Sequence, residues 1–392
     1  MRRGAGYLAA LLLVAGAFAL GFFLTQADEG TSQSAPPVRA DRPVRLIDEV
    51  RSELASAYYR WIDPDVLERT TVRGILAGLG DPYTDLLTDA EYESLREHTE
   101  GTYSGIGLTV GPSRTGLVVT SAAPGPAREA GIRKGDVIVR VDKKPVASLS
   151  FESALALISG DAGTAVKLTL ERPTKRKPLE LVLVRREIEV PPISARLVTV
   201  KKEKLAYIRV FSFSAGAAER IEQATSELVE RGVTGAIVDL RDNPGGLLSQ
   251  AVDTASVYIK DGLVCRTDGL HEEEHEYRVT GVATHPGLPL VVLVNGGSAS
   301  AAEIVAGALA DHDRAILVGE RTYGKASVQS IAPLLGGGAL KLTTAKYLTP
   351  AGADITGLGL EPSVIAADDP LTQRDEGLQI ARRTLVQIVR AR

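Results

Sequence analysis

The stretch L-V-V-L-V-N-G-G-S-A-S-A-A-E-I, residues Leu290–Ile304, predicts a strand that passes through a glycine-rich turn into a helix. Its first five residues are apolar and rich in valine, which is typical of a buried strand. The helix is expected to begin after Ser300 and to continue to Ala310. Strand–turn–helix units place their turns at one edge of a sheet, where functional sites are commonly built.

The same alternation of strands and helices extends over the C-terminal half of the chain. Strands are predicted at Leu205–Phe211, Gly235–Leu240, Ala315–Val318 and across Gly338–Leu348. Helices are predicted at Ala215–Arg231, after the turn R-D-N-P-G-G (Arg241–Gly246), and near the C-terminus around Leu378, Leu385 and Ile388. Alternation of this kind indicates an α/β core.

The N-terminal half predicts two regions of different character. From Leu46 to about Thr99 apolar residues recur at helical spacing, beginning with Ile47, Val50, Leu54, Tyr58 and Trp61. A β-rich segment follows from Tyr103 to about Val190, with strands at Val166–Leu170 and Leu179–Val184. It is interrupted by a helix after Ser150 that is expected to place Phe151, Ala154, Leu155 and Ile158 on one face.

Ser300, Lys325 and Gln329 form a candidate catalytic group that needs no histidine. A serine hydroxyl needs a base to remove its proton, and a lysine serves when burial lowers its pKa. For the amine to be neutral near pH 7, that pKa must fall by roughly three units, or about 4 kcal/mol. We therefore expect Lys325 in a desolvated pocket, with Gln329 orienting its amine through a hydrogen bond.

Ser300 also fits a purely structural interpretation. S-A-A-E, Ser300–Glu303, is a capping box, in which the serine side chain satisfies a helix amide. The neighbouring Ser298 is a competing nucleophile on the same turn. A serine at a helix start also lies beside free N–H groups that can hold an oxyanion.

Lys325 has a second interpretation as a phosphate-binding residue. G-E-R-T-Y-G-K, Gly319–Lys325, matches the G-x-x-x-x-G-K pattern. However, Ala326 occupies the position where that motif needs a serine or threonine. The segment after Lys325 also predicts a strand, whereas a phosphate-binding loop opens a helix.

A zinc site is the third alternative, because H-E-E-E-H, His271–His275, matches the H-E-x-x-H pattern. Zinc would require His271 and His275 on one helix face. The run has no apolar face with which such a helix could pack, and β-rich segments flank it. A solvated hairpin tip is the prediction.

The composition suits ordinary globular domains, with 392 residues, 44% hydrophobic residues and a formal net charge of −4. This charge gives no electrostatic argument for nucleic acid as a partner. The single cysteine, Cys265, excludes an intramolecular disulfide.

The N-terminus predicts export. Arg2 and Arg3 precede an uncharged apolar run from Tyr7 to Leu24, and the basic flank is expected to stay inside. The run is long for a signal-peptide core and short for a membrane span, so a signal anchor and a signal peptide cleaved after Ala27 both remain open. Residues 29–43 predict a linker rich in serine and proline.

Several motifs in order resemble the C-terminal-processing, or tail-specific, serine proteases. They are D-P-Y-T-D-L-L-T (Asp81–Thr88), D-L-R-D-N-P-G-G, N-G-G-S-A-S-A-A-E-I, G-K-A-S-V-Q and L-T-T-A-K-Y-L-T-P-A-G (Leu342–Gly352). The resemblance implies that Ser300 is the nucleophile, Lys325 the base and Gln329 its partner, with neither metal nor cofactor. The family commonly has serine at Ala302 and glycine at Ala326, and both departures are between small residues.

The resemblance also implies an oxyanion hole. The backbone N–H of Ala301 would be one donor. Gly245 or Gly246 would supply the other, because close backbone approach suits glycine. One such donor typically contributes roughly 2.7–4 kcal/mol in the transition state.

The β-rich segment resembles a PDZ domain, with Y-S-G-I-G-L (Tyr103–Leu108) and A-G-I-R-K-G-D-V-I-V-R-V-D (Ala130–Asp142) as its motifs. PDZ domains bind C-terminal peptides by adding them as a strand to a sheet edge. In this resemblance the amides of Gly105, Ile106 and Gly107, followed by Leu108, would hold the peptide.

Together these observations predict an α+β multidomain protein with a crotonase-like α/β protease core. Its expected segments are a signal anchor or signal peptide (1–28), a linker (29–43), an N-terminal helical region (44–100), a PDZ domain (101–190), the protease core (191–366) and a C-terminal helix (367–392).

The expected function is that of a serine endopeptidase that cleaves exported or envelope proteins by their C-terminal tails. It would be membrane-anchored and face the periplasm or exterior, or be released after signal cleavage, and its helical ends would support a homodimer. The alternatives are an inactive PDZ peptide-binding scaffold and a zinc protease that uses His271 and His275.

Overall fold

The computed structural model describes residues 46–175, 177–271, 273–368 and 374–392. The expected signal anchor or signal peptide and the linker lie outside these residues. Within the described ranges, no helix has both the length and the apolar character needed to cross a bilayer. The described chain forms two compact units: a smaller unit, Arg96–Pro191, and a larger unit made of residues 46–95 and Pro192–Arg392.

The N-terminal region is mainly helical, as predicted. Its elements are α1 (Leu46–Ala57), α2 (Pro64–Leu67), α3 (Val72–Leu79), β1 (Asp85–Leu87) and α4 (Asp89–Glu100). Strand β1 was not predicted, because three residues are too few to show a period of two. The prediction that Trp61 continues the helical pattern was wrong: α1 ends at Ala57, and Trp61 is 70% exposed.

The smaller unit is built on a sheet with the strand order β3-β4-β5-β7-β8. Its elements are β2 (Thr102–Gly105), β3 (Leu108–Pro112), β4 (Leu117–Ala122), α5 (Pro126–Glu129), β5 (Val137–Val141), β6 (Lys144–Pro145), α6 (Phe151–Ile158), β7 (Ala165–Glu171), β8 (Leu179–Val184) and β9 (Arg186–Glu189). Among the described strands β3 pairs only with β4, so it is an edge.

Helix α6 begins after Ser150, as predicted. The Ser150 side chain accepts a hydrogen bond from the backbone N–H of Ser153. Ala154 and Ile158 are buried four residues apart, but Leu155 is 38% exposed, which corrects its predicted place on the core face. The buried stripe of this short helix is narrower than its apolar sequence indicates.

The larger unit continues with the elements of the predicted α/β core. They are β10 (Ile193–Val200), β11 (Glu203–Val210), α7 (Ala217–Glu230), β12 (Gly235–Asp239), α8 (Leu248–Tyr258), β13 (Leu263–Asp268), β14 (His275–Arg278), β15 (Leu290–Val294), α9 (Ala301–Asp311), β16 (Ile316–Gly319), β17 (Ser327–Pro333), β18 (Ala339–Leu348), β19 (Val364–Ile365) and α10 (Glu376–Ala391).

A six-stranded sheet in the order β10-β11-β12-β15-β16-β19 forms the centre of this unit. Its strands pair in parallel except β10, which is antiparallel to β11. Alternate residues point to opposite faces, so Val238 and Val292 pack under α7, α8 and α9. Ile237, Val291 and Leu293 pack on the other face against Leu385 and its neighbours in α10.

A second sheet of the larger unit has the order β1-β18-β13-β14, with β17 also paired to β18. Val50, Leu54 and Ile75 of the N-terminal helices pack on Leu340 and Leu342 of β18. The N-terminal helices and β1 therefore complete this sheet and its apolar core. This long-range pairing brings residues near position 83 to the segment that follows Lys325.

Candidate active site

Ser300 lies where the turn after β15 enters α9, and its backbone is strained. It adopts φ 59° and ψ −120°, a conformation that a residue with a side chain rarely adopts. The residue is fully buried. A serine at positive φ between a strand and a helix resembles the strand–turn–helix setting of a nucleophile elbow.

The Ser300 hydroxyl oxygen has no hydrogen-bond partner among the described residues. The Glu303 N–H donates to the Ser300 carbonyl instead, at 2.8 Å. The Ser300 N–H donates to Glu303 Oε2 at 2.9 Å, which is the Glu303 half of the expected capping box. A buried hydroxyl without a partner costs about 1–3 kcal/mol of stability.

The competing serine has a structural place. Ser298 donates its hydroxyl to the Leu240 carbonyl at 2.8 Å and accepts a hydrogen bond from the Asn295 N–H at 3.0 Å. These bonds tie the turn after β15 to the end of β12. The Ser298 hydroxyl therefore acts as both donor and acceptor in stabilising the turn that precedes Ser300.

Glu303 joins the serine to the segment that carries the lysine. One carboxylate oxygen accepts from Ser300 N–H and from Lys325 N–H, the latter at 2.8 Å. The other accepts from the Thr322 hydroxyl and from Gly324 N–H. Desolvation raises the pKa of this fully buried carboxyl, while the hydrogen bonds oppose the rise. The sequence presented Glu303 only as a helix cap.

Lys325 lies just before β17 and is only 1% exposed. Its amine donates to Gln329 Oε1 at 2.8 Å and faces the Tyr83 ring, 4.9 Å from the centroid. Burial, and next the positive charge of Lys341, lower the pKa of Lys325 to about 7, against the opposing charges of Asp81 and Glu303. The desolvated pocket expected for a lysine base is present.

Gln329 is held by a residue that the sequence did not single out. Its amide nitrogen donates to the Tyr83 carbonyl, which leaves the amide oxygen facing Lys325. Asp81 holds the turn that contains Tyr83. Its carboxylate accepts hydrogen bonds from the Tyr83 N–H at 2.9 Å and from the Thr84 hydroxyl at 2.7 Å. The motif D-P-Y-T was visible in the sequence, but its contact partner lies more than two hundred residues away.

Comparison with known proteins assigns this arrangement to a family. The model of peptidase family S41 matches residues 204–366, and a PDZ-domain model matches residues 118–172. The carboxyl-terminal-processing protease of Synechocystis sp. is 37% identical over 306 residues, which span 77% of this chain and 71% of that protein. The chain belongs to peptidase family S41.

Further relatives agree with this S41 assignment. The carboxy-terminal processing protease CtpA of Bacillus subtilis is 34% identical over 358 residues, covering 89% of this chain and 74% of that protein. The solved photosystem II D1 C-terminal processing protease is 32% identical, with a TM-score of 0.54, and covers 85% of this chain and 95% of that one. The predicted family, the serine-type peptidase activity and the α+β multidomain fold class are confirmed.

The turn Arg241–Gly246, called the glycine turn below, lies directly against Ser300. A Cβ added at Gly245 would lie 2.8 Å from Ser300 Cβ and 3.1 Å from the Ala301 nitrogen, and Gly245 adopts φ +111°. Only glycine fits this approach. The Gly245 N–H donates to Asn243 Oδ1 at 2.9 Å. Among the described residues, the N–H groups of Ala301, which follows Ser300, and of Gly246, which follows Gly245, donate no backbone hydrogen bond.

The residues that were predicted to hold a peptide lie at the sheet edge of the smaller unit. Gly105 ends β2, Ile106 and Gly107 form the connection, and Leu108 begins the edge strand β3. The Ile106 and Gly107 carbonyls accept from Ala127 and Ala123, both at 2.9 Å. Gly107 adopts φ 81°, which requires glycine and turns the chain sharply into β3.

The alternative sites do not assemble in the S41 core. His271 lies in the loop between β13 and β14, and His275 begins β14, so the two histidines do not share a helix face as the zinc pattern requires. The described residues contain no group of three or more histidine, cysteine, aspartate or glutamate side chains that could hold a metal. Lys325 precedes a strand rather than a helix, contrary to a phosphate-binding loop.

Proposed function

We propose that this S41 peptidase is an endopeptidase that cleaves peptide bonds with Ser300 as nucleophile and Lys325 as general base. The observation that carries the proposal is the buried amine of Lys325, bound to Gln329 and with a pKa of about 7. The buried Ser300 hydroxyl has no hydrogen-bond partner among the described residues, and Glu303 accepts hydrogen bonds from the backbone N–H groups of both Ser300 and Lys325. A lysine in this state accepts a proton at neutral pH.

The reaction follows from these groups. The neutral Lys325 amine removes the Ser300 proton as Oγ attacks the scissile carbonyl carbon. The N–H groups of Ala301 and Gly246 stabilise the resulting oxyanion. Lys325 then gives its proton to the leaving amine, which leaves an ester on Ser300. A water molecule, deprotonated by Lys325, hydrolyses the ester and restores the serine.

The protonation state of Lys325 sets the pH dependence. The amine is active when neutral, so lower pH removes the active form. We expect kcat/KM to fall about tenfold per pH unit below pH 7 and to level off above it. Initial rates on labelled casein between pH 5 and pH 9 measure this decrease, which is the acid limb of the pH profile.

The direct test compares wild type with Ser300→Ala and Lys325→Ala. Both substitutions should reduce casein hydrolysis by about 10³-fold or more. Lys346→Ala is the matched control: Lys346 is a half-buried lysine of β18 that forms an ion pair with Asp354, and its loss should leave the rate within about twofold. Full activity in either dyad variant would overturn the proposed chemistry.

The same assay separates the alternatives. An inactive peptide-binding scaffold would leave casein intact even as wild type. A zinc protease would lose activity with a chelator and with His271→Ala, while tolerating Lys325→Ala.

We infer further that the PDZ domain recruits substrates by their C-terminal tails, since β3 offers an unpaired edge beside the Gly105–Leu108 connection. The Ser300→Ala protein should bind a fluorescent peptide with a free C-terminal carboxylate at least about tenfold more tightly than its amidated form. Equal binding of the two peptides would remove the recruitment role.

The place of action is also a proposal. The basic and apolar N-terminal sequence supports an exported protein that acts on envelope proteins, either anchored in the membrane or released after cleavage. Fractionation of cells, with N-terminal sequencing of the mature protein, tests the two forms. The homodimer expected from the family resemblance stays a prediction, to be measured by sedimentation.

A further inference from the structure

Lys341 is a second buried lysine beside the proposed base. It is fully buried in β18, where it lies opposite Ile331 of β17 and Asp85 of β1. Gln329 lies opposite Thr343 in the same ladder. Residues two apart in a strand share a face, so Lys341 and Gln329 are diagonal neighbours on one face of the sheet.

The charges around the two lysines differ. The charged groups that face Lys341 are the carboxylates of Asp81, Asp85 and Glu91, from the turn after α3, from β1 and from α4. Lys325 faces Lys341, the Tyr83 ring and the carboxylates of Asp81 and Glu303. Asp81 thus acts on both lysines, whereas Glu303 already accepts four hydrogen bonds.

Two ammonium groups in one desolvated pocket repel each other, so the proton is retained where carboxylates surround it best. Burial lowers the pKa of Lys341, but three carboxylates oppose this by favouring its charged form, whereas the Lys325 amine is hydrogen-bonded to a neutral amide. The charge of Lys341 is the second cause, after burial, of the lowered pKa of Lys325.

We propose that Lys341 is a positioning residue for the catalytic base: it carries the positive charge of this pocket, so that Lys325 remains the neutral amine that accepts the Ser300 proton. The inference rests on the proposed Ser300–Lys325 chemistry. It adds a residue that none of the sequence motifs singled out for a role. In this role Lys341 acts through the protonation of Lys325.

The expected effect has a definite sign. Removing the charge of Lys341 removes a like charge near Lys325, so the pKa of Lys325 rises and the acid limb of kcat/KM moves to higher pH. For two like charges in one buried pocket, at an effective dielectric constant of about 20, the shift is roughly one to two pH units. Activity at pH 7 should therefore fall about tenfold or more and recover near pH 9.

The experiment measures kcat/KM on labelled casein from pH 5 to pH 10 for wild type, Lys341→Met and Lys341→Arg. Lys341→Met keeps the length of the side chain without its charge, and Lys341→Arg keeps the charge and should retain the wild-type limb within about half a pH unit. Lys346→Met is the control on the same strand and should not move the limb. If Lys341→Met does not fold, as judged by circular dichroism, Lys341→Gln replaces it.

A second readout follows the amine without catalysis. In the Ser300→Ala protein, the rate at which acetic anhydride modifies Lys325 is measured against pH by mass spectrometry, with and without Lys341→Met. The midpoint for Lys325 should rise when Lys341 is replaced. An unchanged midpoint, or a lower plateau of activity with an unmoved acid limb, would show that Lys341 is only structural and overturn the inference.

The two proposals fail separately. If Lys325→Ala keeps full activity, the dyad chemistry is wrong whatever the labelling shows. The other outcome is that Ser300→Ala and Lys325→Ala are inactive, but Lys341→Met changes neither the acid limb of kcat/KM nor the midpoint of Lys325 labelling. In that case the proposed Ser300–Lys325 chemistry is retained and the proposed role of Lys341 is wrong.

Discussion

The two sheets of the larger unit contribute to the site in different ways. The six-stranded sheet supplies Ser300 and the glycine turn through short, local strand–turn–helix connections. The sheet built on β18 supplies Lys325 and Gln329, and it needs the N-terminal region to complete their pocket. The position of Ser300, the proposed nucleophile, is thus set by local sequence, whereas the state of Lys325, the proposed base, depends on residues far apart in the chain.

Breaking the link between the two sheets should have the largest effect. In Glu303→Gln an amide group faces N–H donors that now bond to a carboxylate, so donors oppose donors at the backbone of Ser300 and Lys325. We expect kcat to fall by about 10³-fold, because both reacting groups lose their shared anchor. Glu361→Gln, which affects only an exposed ion pair with Arg321, is the control. Near-normal turnover in Glu303→Gln would contradict the anchoring role.

A change confined to the six-stranded sheet tests the nucleophile alone. In Gly245→Ala the new methyl group would press on Ser300 Cβ and the Ala301 nitrogen. We expect about a 10²-fold loss of kcat with an unchanged acid limb, since the oxyanion donors are displaced but Lys325 is not. Gly281→Ala, also at positive φ but in open space, controls for backbone strain. A shifted limb in Gly245→Ala would show that the two sheets are not separable.

A change confined to the second sheet tests the base alone. Gln329→Glu places a carboxylate beside the Lys325 amine, which favours the charged form and raises the pKa of Lys325. The acid limb of kcat/KM should move upward by about one unit, with roughly tenfold less activity at pH 7. Gln329→Met removes the hydrogen bond without adding charge and should lower the plateau without this upward shift. Identical pH profiles for the two variants would contradict an electrostatic origin.

The smallest expected effect is at Ser298. Ser298→Ala removes two hydrogen bonds of the turn, to Leu240 and from Asn295. We expect a loss of about 1–2 kcal/mol in the free energy of unfolding and only a few-fold loss of activity. Denaturant titration and casein hydrolysis together check this. A loss as large as that of Ser300→Ala would make Ser298 a candidate nucleophile again.

The sequence predicted the features that depend on local patterns, and it missed most of those that depend on contacts between distant residues. The strand at Leu290–Val294 and the helix that begins after Ser300 are local patterns, and the predicted bounds agree with the structure at nearly every residue. Lys325 and Gln329 came from the family resemblance, supported by the chemistry that a serine requires. Their roles remain proposals, but their contact and the burial of the amine are in the structure.

The rest depends on contacts that no local pattern contains. Tyr83 meets Gln329 across 246 positions, and β1 is too short to show its period. Which of the two glycines can donate to an oxyanion depends on Asn243 accepting from Gly245 N–H. Trp61 was misplaced because helical spacing continues in the sequence beyond the residue where α1 ends.

The left-handed backbone of Ser300 sets stability against activity at a single residue. A side chain at φ 59° and ψ −120° is held there at a cost of about 1–3 kcal/mol, which glycine would not incur. Ser300→Gly should therefore melt at a higher temperature than wild type while cleaving nothing. Under the proposed chemistry, this backbone conformation exchanges folding stability for a reactive hydroxyl.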